Sequence, residues 1–278
     1  MSRRRLARLL ASPVAWVAVS ATAAAAVYAA YVWLIPVAAT RVADTVPVAW
    51  EARLGSAVSA QIVGSRRVCA DEAANRAVER ITDALLSAHP SNPYAITVTI
   101  IDDPTENAFA APGGHIVVYT GLMRGLDAPE QLAGVLAHEL QHVLLRHGTR
   151  SIFQRSAVSV LVSLLAGDAG GSMAVAMDGV GAMGALAYSR RYEREADAAA
   201  VEMLRRARVD VAGMVEFFRA MGEREGGELG ALAYFSTHPA TTRRIAAIEA
   251  IARDNDYRAR PLMTHEQWAE ALQGCGRP

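Results

Sequence analysis

From Ala11 to Thr40 the chain carries no charged residue, and this feature limits its folding more than any other. A helix rises about 1.5 Å per residue, so about 20 apolar residues cross the hydrocarbon core of a bilayer. The stretch Val14–Ile35 is long enough to do so. Trp16 lies towards one end and Tyr28, Tyr31 and Trp33 towards the other, where amphipathic rings favour the membrane interface. Four Arg occupy the first eight residues. Such a cluster stays in the cytoplasm, so the rest of the chain is expected on the periplasmic side of a bacterial-type inner membrane. The alternative is a cleaved signal peptide, whose apolar core runs about 7–15 residues. A stretch about twice that long favours an uncleaved, single-pass anchor. Residues 1–40 therefore read as a basic cytoplasmic tip and transmembrane anchor, 41–64 as a juxtamembrane connector and 65–278 as a folded domain.

Lys plus Arg total 28 and Asp plus Glu total 28, so the formal net charge is zero. Without a basic excess the chain is not expected to bind nucleic acid. Its two cysteines, Cys69 and Cys275, lie near opposite ends of the exported domain and are candidates for one disulfide. Between Asp71 and Ala88, apolar residues recur at helical spacing. Tyr94–Ile101 reads as a buried strand, and Asn107–Ala111 and Ile116–Thr120 flank Pro-Gly-Gly as a strand pair. The helix PEQLAGVLAHELQHVLLRH is expected to start at an Asp127 cap, with Glu130 completing a capping box, and to stop at Gly148. Val158–Leu165 and Met173–Tyr188 read as a helical flap covered by protein or leaning on the membrane, with a second spanning hairpin as the minor option. Further helices are expected over Ser189–Arg206, from Asp210 to Glu223, over Pro239–Arg253, and after a Thr264 cap. The fold class is α+β, mainly helical, with a small antiparallel sheet and one N-terminal transmembrane helix.

His138-Glu139-Leu140-Gln141-His142 spells HExxH. Residues four apart share a helix face, so both imidazoles can reach one ion at about 2.0–2.1 Å. Glu139 lies one residue along, beside the ion but not on it, where it can serve as general base towards an attacking water. Val135, Leu136, Leu140, Val143 and Leu144 cover most of the helix, so the two His point inward, and buried polar groups need partners. A catalytic zinc site takes a third protein ligand and keeps one position open. Glu193 and Asp197 lie one turn apart on the helix from Ser189. Glu193 can ligate while Asp197 receives an N–H from a ligating His and fixes its tautomer. Glu195 reads as part of a solvated acidic face, and His147, five residues after His142, as a cation at a helix C-terminus.

Four segments, NAFAAPGGHIVVYTGLM, LAHELQHVLLRH, YSRRYEREAD and STHPATTRRI, cover Asn107–Ile245 in order. In these the chain resembles the zinc metallopeptidases of the HtpX and BepA-like family, which also contains the CAAX prenyl protease. The resemblance implies a gluzincin-type fold, one Zn2+ per chain, and Glu193 as third ligand beside His138 and His142. It implies that the strand at Asn107, Ala108, Phe109 and Ala110 is an edge onto which a peptide substrate adds. It also implies that His238 sits beside the metal and that Arg244 shapes the same pocket. His238 precedes Pro239 at a helix start. It can ligate zinc as a fourth donor, stabilise an oxyanion, or merely cap the helix. The expected function is cleavage of unfolded or misassembled envelope proteins by an anchored endopeptidase. The partners expected are those protein or peptide substrates and the lipid bilayer. A chaperone-like protein or scaffold with a self-blocked zinc site and a peptidoglycan peptidase are the alternatives.

Overall fold

The computed structural model describes residues 13–166, 189–224, 234, 238, 242–253 and 257–275. They divide into two compact units, 13–45 with 150–166 and 46–149 with the described residues from 189 onward. The apolar segment Met173–Tyr188 lies outside the described residues.

The first unit contains α1, Pro13–Thr45, a helix of 33 residues that is strongly apolar over a stretch of spanning length. At about 1.5 Å per residue it is long enough and apolar enough to cross a membrane. No residue over 13–34 is buried, and Val14, Trp16 and Trp33 are exposed by 59–74%, whereas Ile35, Ala39 and Ala43 are covered. A π-turn at Ala30–Leu34 precedes Pro36. Proline cannot donate to the carbonyl four residues back and crowds it, and widening the preceding turn relieves both conflicts.

The second unit begins with α2, Val48–Val63, followed by β1, Arg67–Val68, and α3, Glu72–Ser87. The Asp71 side chain caps α3 by accepting from the Ala74 amide at 2.9 Å. Next come β2, Thr97–Asp102, β3, Ala108–Ala111, and β4, His115–Tyr119. The remaining helices are α4, Thr120–Arg124, α5, Pro129–Leu144, α6, His147–Ala166, which continues into the first unit, α7, Arg190–Arg206, α8, Ala212–Arg224, α9, Thr242–Ala252, and α10, His265–Gly274. Thr264 and Gln267 close a full capping box on α10.

The sheet runs β1-β2-β4-β3 and is mixed, not wholly antiparallel as the sequence suggested. β3 and β4 form the expected antiparallel pair, with Phe109 opposite Val117, but β2 lies parallel to β4, with Thr99 opposite Val117. The reason is burial. Ile116, Val117 and Val118 are all buried, so β4 needs a neighbour on each side. Residues 103–107 can step across two strand spacings of about 4.8 Å each and leave β3 at the edge. Thr120 holds that step, accepting from the Asp103 amide at 3.1 Å and donating to the Asp103 carbonyl at 3.0 Å.

α5 is the centre of the core and packs on α7, α8, α3 and β3. A Cβ on Gly134 would come within 2.7 Å of Met214 Cα, and one on Gly213 within 2.5 Å of the Glu130 carbonyl carbon. This reciprocal glycine pair lets α5 and α8 meet backbone to backbone. Two details of α5 depart from expectation. Its N-cap is Ala128, without a side-chain cap, and the Gln131 side chain instead accepts from the Asp127 amide at 2.8 Å. It also ends at Leu144 rather than at Gly148, because Arg146 adopts a left-handed φ of 58° and the chain restarts as α6 at His147. Cys69 and Cys275 are brought together in a disulfide with Cα atoms 5.6 Å apart, tying β1 to the end of α10.

Candidate active site

His138, Glu139 and His142 are 0–1% exposed, so the α5 face that bears them is turned fully into the protein. α7 supplies the opposing wall. The Ser189 hydroxyl caps it by accepting from the Tyr192 amide at 3.3 Å. The capped turn carries Glu193, and Asp197 follows one turn later, both buried. His238 and Arg244 close the site and are buried at 0% and 4% exposure.

The donor atoms converge. His138 Nε2 is 3.0 Å from His142 Nε2 and 3.4 Å from Glu193 Oε2, and His142 Nε2 is 3.4 Å from Glu193 Oε1. His238 Nδ1 lies 3.3 Å from His138 Nε2 and 3.2 Å from Glu193 Oε1. Ligands held at about 2.0–2.1 Å in a tetrahedron stand about 3.3–3.4 Å apart. The contacts of 3.0–3.4 Å lie close to that spacing, and the four donors, one atom from each residue, all fall within 4.8 Å of one another. Two imidazoles, a carboxylate and a third imidazole could thus hold a zinc-sized ion, and these four are the one such cluster among the described residues. The outer atoms fit as well. His138 Nδ1 is 3.0 Å from Asp197 Oδ1, the second carboxylate contact that a ligating imidazole requires.

Arg244 binds Asp197 through two nitrogens, at 2.6 and 2.8 Å, and reaches Glu193 Oε2 at 2.6 Å. It also donates to the His238 carbonyl at 3.2 Å and lies 4.7 Å from the Phe218 ring centre. One guanidinium thus compensates two buried carboxylates and fixes the backbone at His238. Neither Glu139 oxygen has a hydrogen-bond donor among the described residues, and His238 Nε2 lies 3.3 Å from Oε1.

These contacts set the protonation states. Burial disfavours charge on His138, but Asp197 and Glu193 outweigh it and push its pKa up to about 9. At His142 burial prevails and holds the ring well below its usual 6.5. Burial would raise the Glu193 carboxyl, yet the surrounding imidazoles keep it well below the ordinary range. Asp197 is likewise lowered, burial being overcome by His138 and Arg244. Glu193 and Asp197 are therefore carboxylates at neutral pH.

The sequence-derived set falls into two groups. His138, Glu139, His142, Glu193, Asp197, His238 and Arg244 meet at one point. Asn107, Ala108, Phe109 and Ala110 lie on β3 and just before it, and the three on the strand are buried. β3 pairs with β4 on one side, meets no strand on the other among the described residues, and packs beside α5. Three site features escaped the sequence. Tyr234 stacks on His238, ring centres 4.7 Å apart. His147 does not end a helix but opens α6, fully buried against His142. Glu51, on the stretch read as a connector, is 1% exposed and binds Arg146 at 2.7 Å, Tyr94 at 2.7 Å and Thr149. A lone Glu in an amphipathic helix carries no sign of this, because its partners lie 43–98 residues away.

Residues 72–252 match the profile of Peptidase family M48. The mitochondrial metalloendopeptidase OMA1 of Schizosaccharomyces pombe is 33% identical over 174 residues, 62% of this chain and 51% of that protein. The beta-barrel assembly-enhancing protease of Escherichia coli is 26% identical over 239 residues, 82% of this chain and 48% of that protein. The chain thus spans about half the length of the curated relatives it matches.

Proposed function

Because the chain belongs to peptidase family M48, we propose that it is a zinc-dependent endopeptidase, with His138, His142 and Glu193 as ligands and Glu139 as general base. The observation that carries this is the convergence of donors from α5 and α7 within 3.0–3.4 Å of one another, with the Glu139 carboxylate beside them. Zinc in such a site polarises the scissile carbonyl and activates water. Glu139 takes the proton from the attacking water and delivers it to the leaving amine. Asp197 and Arg244 hold His138 and Glu193 in place, and Arg244 anchors the His238 carbonyl. The substrate adds as a strand to the outer edge of β3, where main-chain hydrogen bonds give affinity without demanding a sequence.

α1 anchors the enzyme in a bacterial-type inner membrane, with the catalytic unit on the periplasmic side, as the Arg cluster before it favours. The substrates are unfolded or misassembled envelope proteins, a choice supported by the name of the E. coli relative. His238 favours a second element, self-blocking. Its Nδ1 lies 3.3 Å from His138 Nε2 and 3.2 Å from Glu193 Oε1, so it could serve as a fourth ligand at the position that a catalytic zinc site leaves open. The enzyme is then held off until substrate or a partner draws His238 away, and the permanently blocked form is the chaperone-like alternative. The test is zinc content and casein cleavage by the full chain in detergent, with and without a chelator. Cleavage that survives complete zinc removal, or a chain that binds no zinc, contradicts the proposal.

A further inference from the structure

His147 is fully buried, and its Nδ1 lies 3.0 Å from Nδ1 of His142. His142 turns its other nitrogen, Nε2, towards Glu193 and His138. If Nε2 is to hold an ion, the proton of that neutral ring must be on Nδ1, and it must be donated. Nδ1 of His147 is the acceptor at hydrogen-bond distance, so His147 carries its own proton on Nε2. That nitrogen lies 3.4 Å from Oε2 of Glu195, a close approach short of a formed hydrogen bond, and Glu195 is paired with Arg191 at 2.8 Å. The ring of His147 lies flat on Tyr192, centres 4.5 Å apart and planes at 16°.

The position of His147 is imposed from a distance. Continued as a helix, α5 would carry it away from the face that bears His142, because residues five apart do not share a face. The left-handed turn at Arg146 redirects it. Such a conformation is uncommon for a residue with a Cβ and needs outside support. Glu51 supplies it through two contacts to the Arg146 guanidinium, at 3.0 and 2.7 Å.

We propose that His147 is a positioning residue for the metal centre: it accepts the outer N–H of His142, fixes the tautomer that can ligate, and is itself anchored by Glu195. The two ligating imidazoles are then served by one helix. α7 gives Asp197 directly to His138, and Glu195 to His142 through His147. The inference rests on the metal site proposed above, and its failure can be told from failure of that site.

The test is the zinc dissociation constant of the full chain in detergent, measured by competition with a chromophoric chelator, with circular dichroism to confirm folding. His147→Phe keeps the ring and its stacking on Tyr192 but accepts nothing. His147→Asn loses the ring but places an amide oxygen near the position of Nδ1. The expected result is zinc binding weakened about 10–100-fold in the Phe variant and largely retained in the Asn variant. A site that needs only the bulk of the ring gives the opposite order, and that order overturns the proposal, as does wild-type affinity in the Phe variant. If His147→Phe does not fold, Glu195→Ala decides, since Glu195 is partly exposed. Weakened zinc binding there supports the relay, and unchanged binding overturns it. Absence of zinc from the wild-type chain would instead sink the metal site itself.

Discussion

Asp197→Asn changes one atom and should weaken both the fold and the metal site. Asp197 accepts from Arg244 at 2.6 and 2.8 Å and faces His138 Nδ1 at 3.0 Å, while 4% exposed. An amide has one acceptor oxygen, so its NH2 must face a donor now held by the second oxygen. A charge-assisted hydrogen bond contributes about 1.5–3 kcal/mol, and breaking a buried pair outright costs about 3–5 kcal/mol. Arg244 keeps its 2.6 Å contact with Glu193, so its charge is not left unpaired. The expected loss is therefore roughly 2–4 kcal/mol. For a chain of this size that lowers Tm by roughly 4–16 °C. Zinc affinity should fall about 10–100-fold, or about 1.4–2.7 kcal/mol, through loss of the carboxylate behind His138. Thermal unfolding by circular dichroism and chelator competition measure the two effects. A Tm within about 1 °C of wild type together with unchanged zinc affinity would refute the roles given to Asp197.

Zinc must displace a proton from His138, whose pKa is raised to about 9, but none from His142 or Glu193. Acid therefore opposes binding, and affinity should climb about tenfold per pH unit from 7 towards 9 and then flatten; a level profile in chelator competition would contradict this. If His238 blocks the site, His238→Ala removes the fourth donor and should raise casein cleavage with zinc retained, whereas a loss of about 10²–10³ in rate with zinc retained would make His238 an oxyanion donor. Reducing Cys69–Cys275 opens a loop with a sequence separation of 206. It should cost roughly 5 kcal/mol in the chain-entropy picture, seen as a lower Tm in reductant that a Cys69→Ala, Cys275→Ala variant no longer shows.

Much of the site could be read from sequence because helical period and ligand chemistry act locally. His138, Glu139 and His142 share one helix, Glu193 and Asp197 another, and a spacing of four reports a shared face in each. The cap at Thr264 was legible for the same reason, since its partner Gln267 lies three residues on. What escaped was non-local. The α5–α6 break at Arg146 depends on Glu51, 95 residues earlier, so a glycine two residues later looked like the stop. That error misplaced His147 as well. Alternation and apolar runs tell which strands are buried, not which neighbour each takes, so the parallel β2–β4 pairing stayed hidden. The start of α5 was misplaced by one residue, because Gln131, not Glu130, makes the backward contact. His238 and Arg244 entered through the family resemblance, and only their distances to Glu193 and Asp197 give them a physical role.

Glu139→Gln separates metal binding from chemistry within one side chain. Glu139 is buried beside the donors without a hydrogen-bond donor on either oxygen among the described residues, so the amide fits the same space. General acid–base assistance is worth about 10²–10⁴-fold. Zinc content and casein cleavage should be measured on the same purified variant. One zinc per chain with cleavage reduced by about 10²-fold or more is the predicted result. Full cleavage with zinc bound would contradict the role of Glu139, and loss of zinc would make Glu139 a ligand instead.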